Sequence, residues 1–213
     1  TSPLNGLLGM ISHLSDNYTE VSLQELEKII NSVKDSAERL YEFFQDMLDW
    51  SRSQTGRLDV FIEEIKIMDL ISNIEQICLL FFENKSISFI NNIIQESYFV
   101  KADKYLLKTV LRNLLSNAVK FTEKGGKVIL SAKDKDDHII ISISDDGIGI
   151  DNDIISDLFS IDVKTSTAGT EGEQGTGLGL VICKEFVEIM QGSLIIESNP
   201  GGGTMVSIIL PKA

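Results

Sequence analysis

The sequence predicts an α+β protein in two parts. Residues 1–57 form an antiparallel helical hairpin that pairs into a dimeric four-helix bundle, and residues 58–213 form an α/β sandwich with one mixed sheet covered by helices on one face. Three observations predict this. A heptad seam runs through the first part; two pairs of alternating apolar and polar segments flank short turns in the second; amphipathic stretches of helical period separate them.

The elements follow in order. Leu4, Leu7, Ile11 and Leu14 repeat at three- and four-residue spacing, a short helix. The polar connection SDNYTEVS leads into Leu23, Leu26, Ile30, Val33, Ala37, Leu40, Phe44, Met47 and Ser51, the heptad seam of a long one. Ser22 and Glu25 match a capping box at its start, and Gly56 lies just past its end. One hairpin leaves its apolar seam half exposed, so a second copy across a two-fold axis is the expected completion.

From Leu58 the rhythm changes. IMDLISNIEQICLLFF reads as an amphipathic helix, ISFINNII as a strand, and KADKYLLKTVLRNLLSNAVKF as a second long helix with Leu107, Val110, Leu111, Leu114 and Ala118 inward. KVILSAK and HIIISIS alternate around DKDD, a hairpin; a helix opens at Gly177; SLIIES and GTMVSIIL form a last hairpin around NPGGG.

The chain is 43% hydrophobic and 24% charged, and 32 acids against 19 bases leave a net charge of −13. Such a surface repels phosphate backbones and anionic headgroups, which argues against nucleic acid and against direct membrane contact. A polyphosphate ligand would need a divalent cation and a local donor cradle. The apolar run ICLLFF is too short to span a bilayer and no signal peptide opens the sequence, so a soluble, cytoplasmic fragment is expected. Cys78 and Cys183 lie far apart in apolar helical patterns and read as buried thiols.

Three stretches carry chemistry. In NLLSNAVKFT, Asn113, Asn117 and Lys120 fall on one helical face; asparagine is a poor helix former, so two on one stripe need a reason. DDGIGI at 145–150 follows a strand, and GTGLGL at 175–180 opens a helix, where unpaired amides can meet an anion. Neither glycine stretch has the spacing and context of a dinucleotide-binding or P-loop turn.

In their order, these stretches resemble the N box and the two glycine boxes of the sensor histidine kinase core, a GHKL-type ATP-binding domain, including that of hybrid kinases. PLNGLLGM and LDWSRSQTGRL resemble the two helices of its dimerisation and phosphotransfer domain. The resemblance implies ATP and Mg²⁺ as ligands. Asn117 matches the Mg²⁺ ligand, a hard neutral oxygen; Asn113 and Lys120 match residues that contact or neutralise phosphates. Asp145 matches the carboxylate that accepts from the exocyclic amine of adenine. Gly147 and Gly149 would let the backbone run against the base, with Phe121 and Ile150 as apolar walls. Gly175, Thr176, Gly177, Leu178 and Gly179 would cradle phosphates. The segment before them, rich in Ser, Thr and Gly, suits a lid, with Lys164 as its one base and a candidate γ-phosphate contact.

The related ATP-hydrolysing clamps carry a glutamate at the position of Asn113, a general base for water. An amide cannot take that proton, as expected if the phosphoryl group must reach a histidine instead. The family pattern places that histidine five positions before Pro3, upstream of Thr1, with a response-regulator receiver domain as the next acceptor. Many members are membrane-anchored upstream. Ser2 falls where many carry the Thr or Asn that positions water for dephosphorylation. His13 sits beside the seam with no acid after it and Tyr18 where a proline should stand, so it is not read as the phosphoacceptor; His138 reads as solvated. Asp146, where the family usually has Asn, is expected to matter little. The alternatives are a hydrolysing clamp of the same superfamily and a nucleotide-sensing dimeric scaffold without transfer.

Overall fold

Ser22 starts the long helix as its composition requires: its hydroxyl accepts from the Glu25 amide at 3.3 Å, the side-chain half of a capping box. The computed structural model describes residues 3–17, 21–54, 58–93, 98–155, 157–159, 167–173 and 177–213, so Gly56 lies outside them. The chain divides into two units, Thr1–Arg57 and Leu58–Ala213.

The first unit holds α1 (Pro3–Asn17) and α2 (Leu23–Gln54), which pack on one another. Leu7, Met10 and Leu14 of α1 are half-buried, while Leu4, Leu8 and Ile11 face outward. On α2 the seam is largely uncovered: Leu23 is 84% exposed, Ile30 53% and Phe44 58%. No described helix is long and apolar enough to cross a membrane.

The second unit is a mixed five-stranded sheet with helices on one face. In chain order it contains β1 (Ile62–Lys66), α3 (Ile67–Asn84), β2 (Ser88–Asn91), β3 (Phe99–Asp103), α4 (Lys104–Phe121), β4 (Lys127–Lys135), β5 (His138–Asp145), α5 (Asn152–Ile155), a 3₁₀ turn (Asp157–Phe159), α6 (Gly179–Ile189), β6 (Ser193–Ser198) and β7 (Thr204–Pro211). The sheet order is β2-β4-β5-β7-β6. β2 and β4 pair parallel, with α4 in the crossover between them; the other pairs are antiparallel. Alternation fixes the buried face: Ile139, Ile141 and Ile143 of β5 lie under the helices, whereas Ile140, Ser142 and Ser144 face the half-open side. Ile71 and Ile74 of α3, Leu107 and Leu111 of α4, and Val187 and Phe186 of α6 complete the core, together with the buried thiols of Cys78 and Cys183.

Two local readings need correction. Lys101–Asp103 do not begin the helix; they end β3, which pairs antiparallel with β1 in a small second sheet that the sequence reading missed. Helical periodicity ran on because Ala102 and Leu106 are both buried, one in the strand and one in the helix. The later helix starts at Gly179 and not at Gly177, whose φ of +76° is left-handed and outside a helix.

Candidate functional site

Helix α4 is the spine of the candidate site. Asp103 starts it: one carboxylate oxygen accepts from the amides of Tyr105 (2.9 Å) and Leu106 (3.1 Å), and the other from the Phe61 amide at 2.8 Å, so a single N-cap also ties β1 to the helix. The apolar stripe is buried, which leaves Asn113, Asn117, Lys120 and Phe121 half-exposed.

Asn113 meets the start of α6. A side chain added at Gly179 would lie 3.9 Å from the Asn113 carboxamide carbon, and the Asn113 Nδ2 is buried without a hydrogen-bond partner among the described residues. Nature seldom leaves a buried donor unmatched, because an unmet amide costs about 1–3 kcal/mol. This amide therefore fits an anionic ligand at the same place. No side chain caps α6 at Leu178, and a helix start of this kind can turn its first amides toward an anion.

The other end of α4 meets the DDGIGI turn. The Ile148 amide donates to the Phe121 carbonyl at 3.1 Å. A Cβ on Gly147 would stand 2.2 Å from that same oxygen, and one on Gly149 (φ +72°) would stand 1.9 Å from the Asn199 carbonyl. Both glycines are required by close backbone approach. Asn117 lies one helical turn before Phe121, about 6 Å along the axis, and Asn113 about 12 Å.

Asp145 ends β5 under this turn. Its Oδ1 accepts from the amides of Gly147 (3.0 Å) and Thr204 (3.2 Å), and its Oδ2 accepts no bond among the described residues. Burial pushes its carboxyl above the ordinary carboxylate range; the two amides oppose the shift and Asp146 adds to it. The strand register brings in partners the sequence reading missed. Asp145 pairs with Thr204, and Thr204 with Ser198. Ser198 Oγ accepts from the Ile150 amide at 2.8 Å and donates to the Gly203 carbonyl at 2.8 Å. A cavity of about 280 Å³ opens beside Asp145, bordered by Ser144, Glu197, Asn199 and Met205 among others. It touches no residue of α4.

Lys120 donates to the Thr167 carbonyl at 3.0 Å and lies 4.6 Å from the centroid of the Phe121 ring. Burial lowers its ammonium below the ordinary lysine range, against the pull of Glu173. The expectations on Ser2, Lys164, Gly175 and Thr176 fall outside the described residues. Asp146, expected to matter little, accepts from the Lys127 amide at 2.7 Å, a role that an asparagine oxygen could also fill. His138 begins its strand exposed, and exposed His13 has its ring Nδ1 3.4 Å from the Asn17 amide nitrogen.

Comparison with known proteins bears on the family and the fold. The family described as histidine kinase-, DNA gyrase B-, and HSP90-like ATPase matches residues 102–213. The autoinducer 2 sensor kinase/phosphatase LuxQ of Vibrio parahaemolyticus is 30% identical over 216 residues, covering 99% of this chain and 25% of its own length. The sensor histidine kinase GacS of Pseudomonas protegens is 31% identical over 219 residues, covering 99% and 23%. The chain thus spans about a quarter of the length of these relatives. Among solved structures, the catalytic domain of histidine kinase ThkA matches 71% of this chain and 96% of its own at 27% identity and TM-score 0.63. ThkA in complex with response regulator protein TrrA matches 99% and 58% at 22% identity and TM-score 0.76, a likeness of fold. With the family model covering more than half of the sequence, the chain belongs to the histidine kinase-, DNA gyrase B- and HSP90-like ATPase family.

Proposed function

We propose that this chain is the core of a sensor histidine kinase of a two-component system, which binds Mg-ATP in the second unit and passes the γ-phosphoryl group to a histidine and then to a response-regulator aspartate. One observation carries the reading: the unpartnered buried amide of Asn113 stands against Gly179, on the same helix whose far end receives the Asp145 turn.

Each residue then has a task. The free Asp145 oxygen accepts the exocyclic amine of adenine and discriminates against guanine, whose carbonyl offers no proton. Asn113 and the opening amides of α6 would take phosphate oxygens, Lys120 would supply a point charge, and Asn117 would hold Mg²⁺ through one neutral oxygen. The histidine nitrogen forms a P–N bond as the bond to the β-phosphate oxygen breaks, and ADP leaves with that electron pair. Positioning and charge neutralisation carry such a step. An amide at position 113 cannot accept a proton from water, which disfavours hydrolysis. The exposed seam of α2, with Leu23 and Phe44 outward, supports a homodimer through the helical unit.

The test is the longer protein, carrying the histidine expected before Thr1, incubated with labelled ATP and Mg²⁺. Acid-labile phosphate that disappears when that histidine is replaced supports transfer. Tight ATP binding without labelling favours a scaffold, and sustained ATP turnover favours a hydrolysing clamp.

A further inference from the structure

Lys85 follows α3 and is 3% exposed, yet it carries a charge that the site as described does not use. Its ammonium donates to the carbonyls of Val119 (2.9 Å) and Lys120 (3.0 Å) and to Glu173 Oε1 (2.8 Å). All three donor directions are filled. The first two acceptors are orphan carbonyls at the C-terminus of α4, where a cation is also favoured by the helix dipole. The third belongs to the segment before α6.

Glu173 organises that segment. Its Oε2 accepts from the Glu171 amide at 2.8 Å, and its carbonyl accepts from the Gly169 amide at 2.8 Å. The turn so closed lies on Lys120. The Thr170 amide donates to the Lys120 carbonyl at 3.1 Å, and the Thr170 hydroxyl to the Thr122 carbonyl at 2.9 Å. A Cβ on Gly169 would sit 2.6 Å from Lys120 Cγ. Three residues earlier in the chain than Thr170, the Thr167 carbonyl holds the Lys120 ammonium. Lys120 is therefore gripped at its carbonyl, its stem and its tip by a segment that Lys85 fastens to α4.

We propose that Lys85 and Glu173 are a positioning pair for the phosphate end of the site: they fix residues 167–173 on the end of α4 and thereby set where the Lys120 ammonium stands. The inference rests on the nucleotide-binding reading above. Neither residue touches the nucleotide in this scheme. A break in the pair should loosen Lys120 without disturbing Asp145, which draws its contacts from β7 and the DDGIGI turn.

Glu173→Gln removes the charge and one acceptor while keeping the size of a side chain that is 37% exposed, so it should fold; a thermal melt checks this. Calorimetry with Mg-ATP is expected to show affinity lowered about tenfold, with adenosine binding by NMR titration unchanged. In a Lys120→Ala chain the same substitution should have no further effect on Mg-ATP. Lys85→Arg, which can still reach the carboxylate, should retain most of the Mg-ATP affinity that Lys85→Met loses. Equal losses for Mg-ATP and adenosine, an undiminished effect in the Lys120→Ala chain, or parental Mg-ATP affinity in Glu173→Gln would each overturn the pair's role while leaving nucleotide binding standing. A parent chain that binds no Mg-ATP overturns both.

Discussion

At Asp145 the carboxylate is held by two main-chain amides from a turn and a paired strand, whereas at Lys120 the ammonium donates to the Thr167 carbonyl, in a segment pinned by side chains. The first arrangement follows from a glycine turn and from strand register, both of which act through the backbone. The second depends on an ion pair between residues 88 positions apart, one partner of which is partly exposed and so worth less and screened by salt. On the proposed reading, the base end is held by backbone and the phosphate end by side chains.

Asp145→Asn should produce the largest effect. The carboxamide oxygen can keep the Gly147 and Thr204 bonds, but its NH₂ would oppose the adenine amine, and calorimetry should show Mg-ATP affinity reduced more than about a hundredfold with the fold intact. Unchanged affinity would remove the base end from the comparison. Gly147→Ala comes next. Its Cβ must displace the Phe121 carbonyl, and the melting temperature should fall by roughly 5–10 °C, about 2–3 kcal/mol; a stable protein there would mean that the turn is less rigid than its contacts imply. Lys120→Ala follows, with about tenfold weaker Mg-ATP and unchanged adenosine.

Acid titration separates the two ends by sign. Asp145 has a raised folded pKa, so the folded state holds its proton more tightly than the unfolded chain. As pH falls from that raised value to the ordinary carboxylate range, Asp145 adds stability to the free protein while losing the charge proposed to receive adenine. Glu173 behaves oppositely. Desolvation pushes its carboxyl up, but the Lys85 bond and the amides of the turn outweigh it and leave it lowered. Its contribution is full above the ordinary carboxylate value and lost as pH falls through the lowered one. Nucleotide affinity should therefore decay at a pH above that where the Glu173 contribution to melting is lost, and simultaneous loss of both would contradict the assignment. Asp146→Asn should change stability least, within about 0.5 kcal/mol, because an amide oxygen can still receive the Lys127 amide.

The difference between the ends also explains what could be read in the sequence. Asn113, Asn117, Asp145 and the glycines of the first turn lie within short runs whose spacing is meaningful. The strands showed through alternation, except β1 and β3: five residues each, with β1 carrying the acids Glu63 and Glu64 beside one another and β3 merging into the apolar period of α4. Lys85 and Glu173 had no local signature at all. A lysine after an apolar helix reads as solvated, and a glutamate among glycines reads as loop; only the fold brings them together. Thr204 and Ser198 were hidden for a related reason, since register across two hairpins is not recoverable from either strand alone.

The knot of Ser198, Gly203 and Thr204 has a consequence for what a stretch of text can certify. A protein shortened after Met190 would retain Asn113, Asn117, Asp145 and both glycine runs. It would nonetheless strip Asp145 of its Thr204 donor and Ile150 of the Ser198 hydroxyl. On the proposed reading, competence to hold a purine then depends also on the closing hairpin of the unit, in letters that name no ligand.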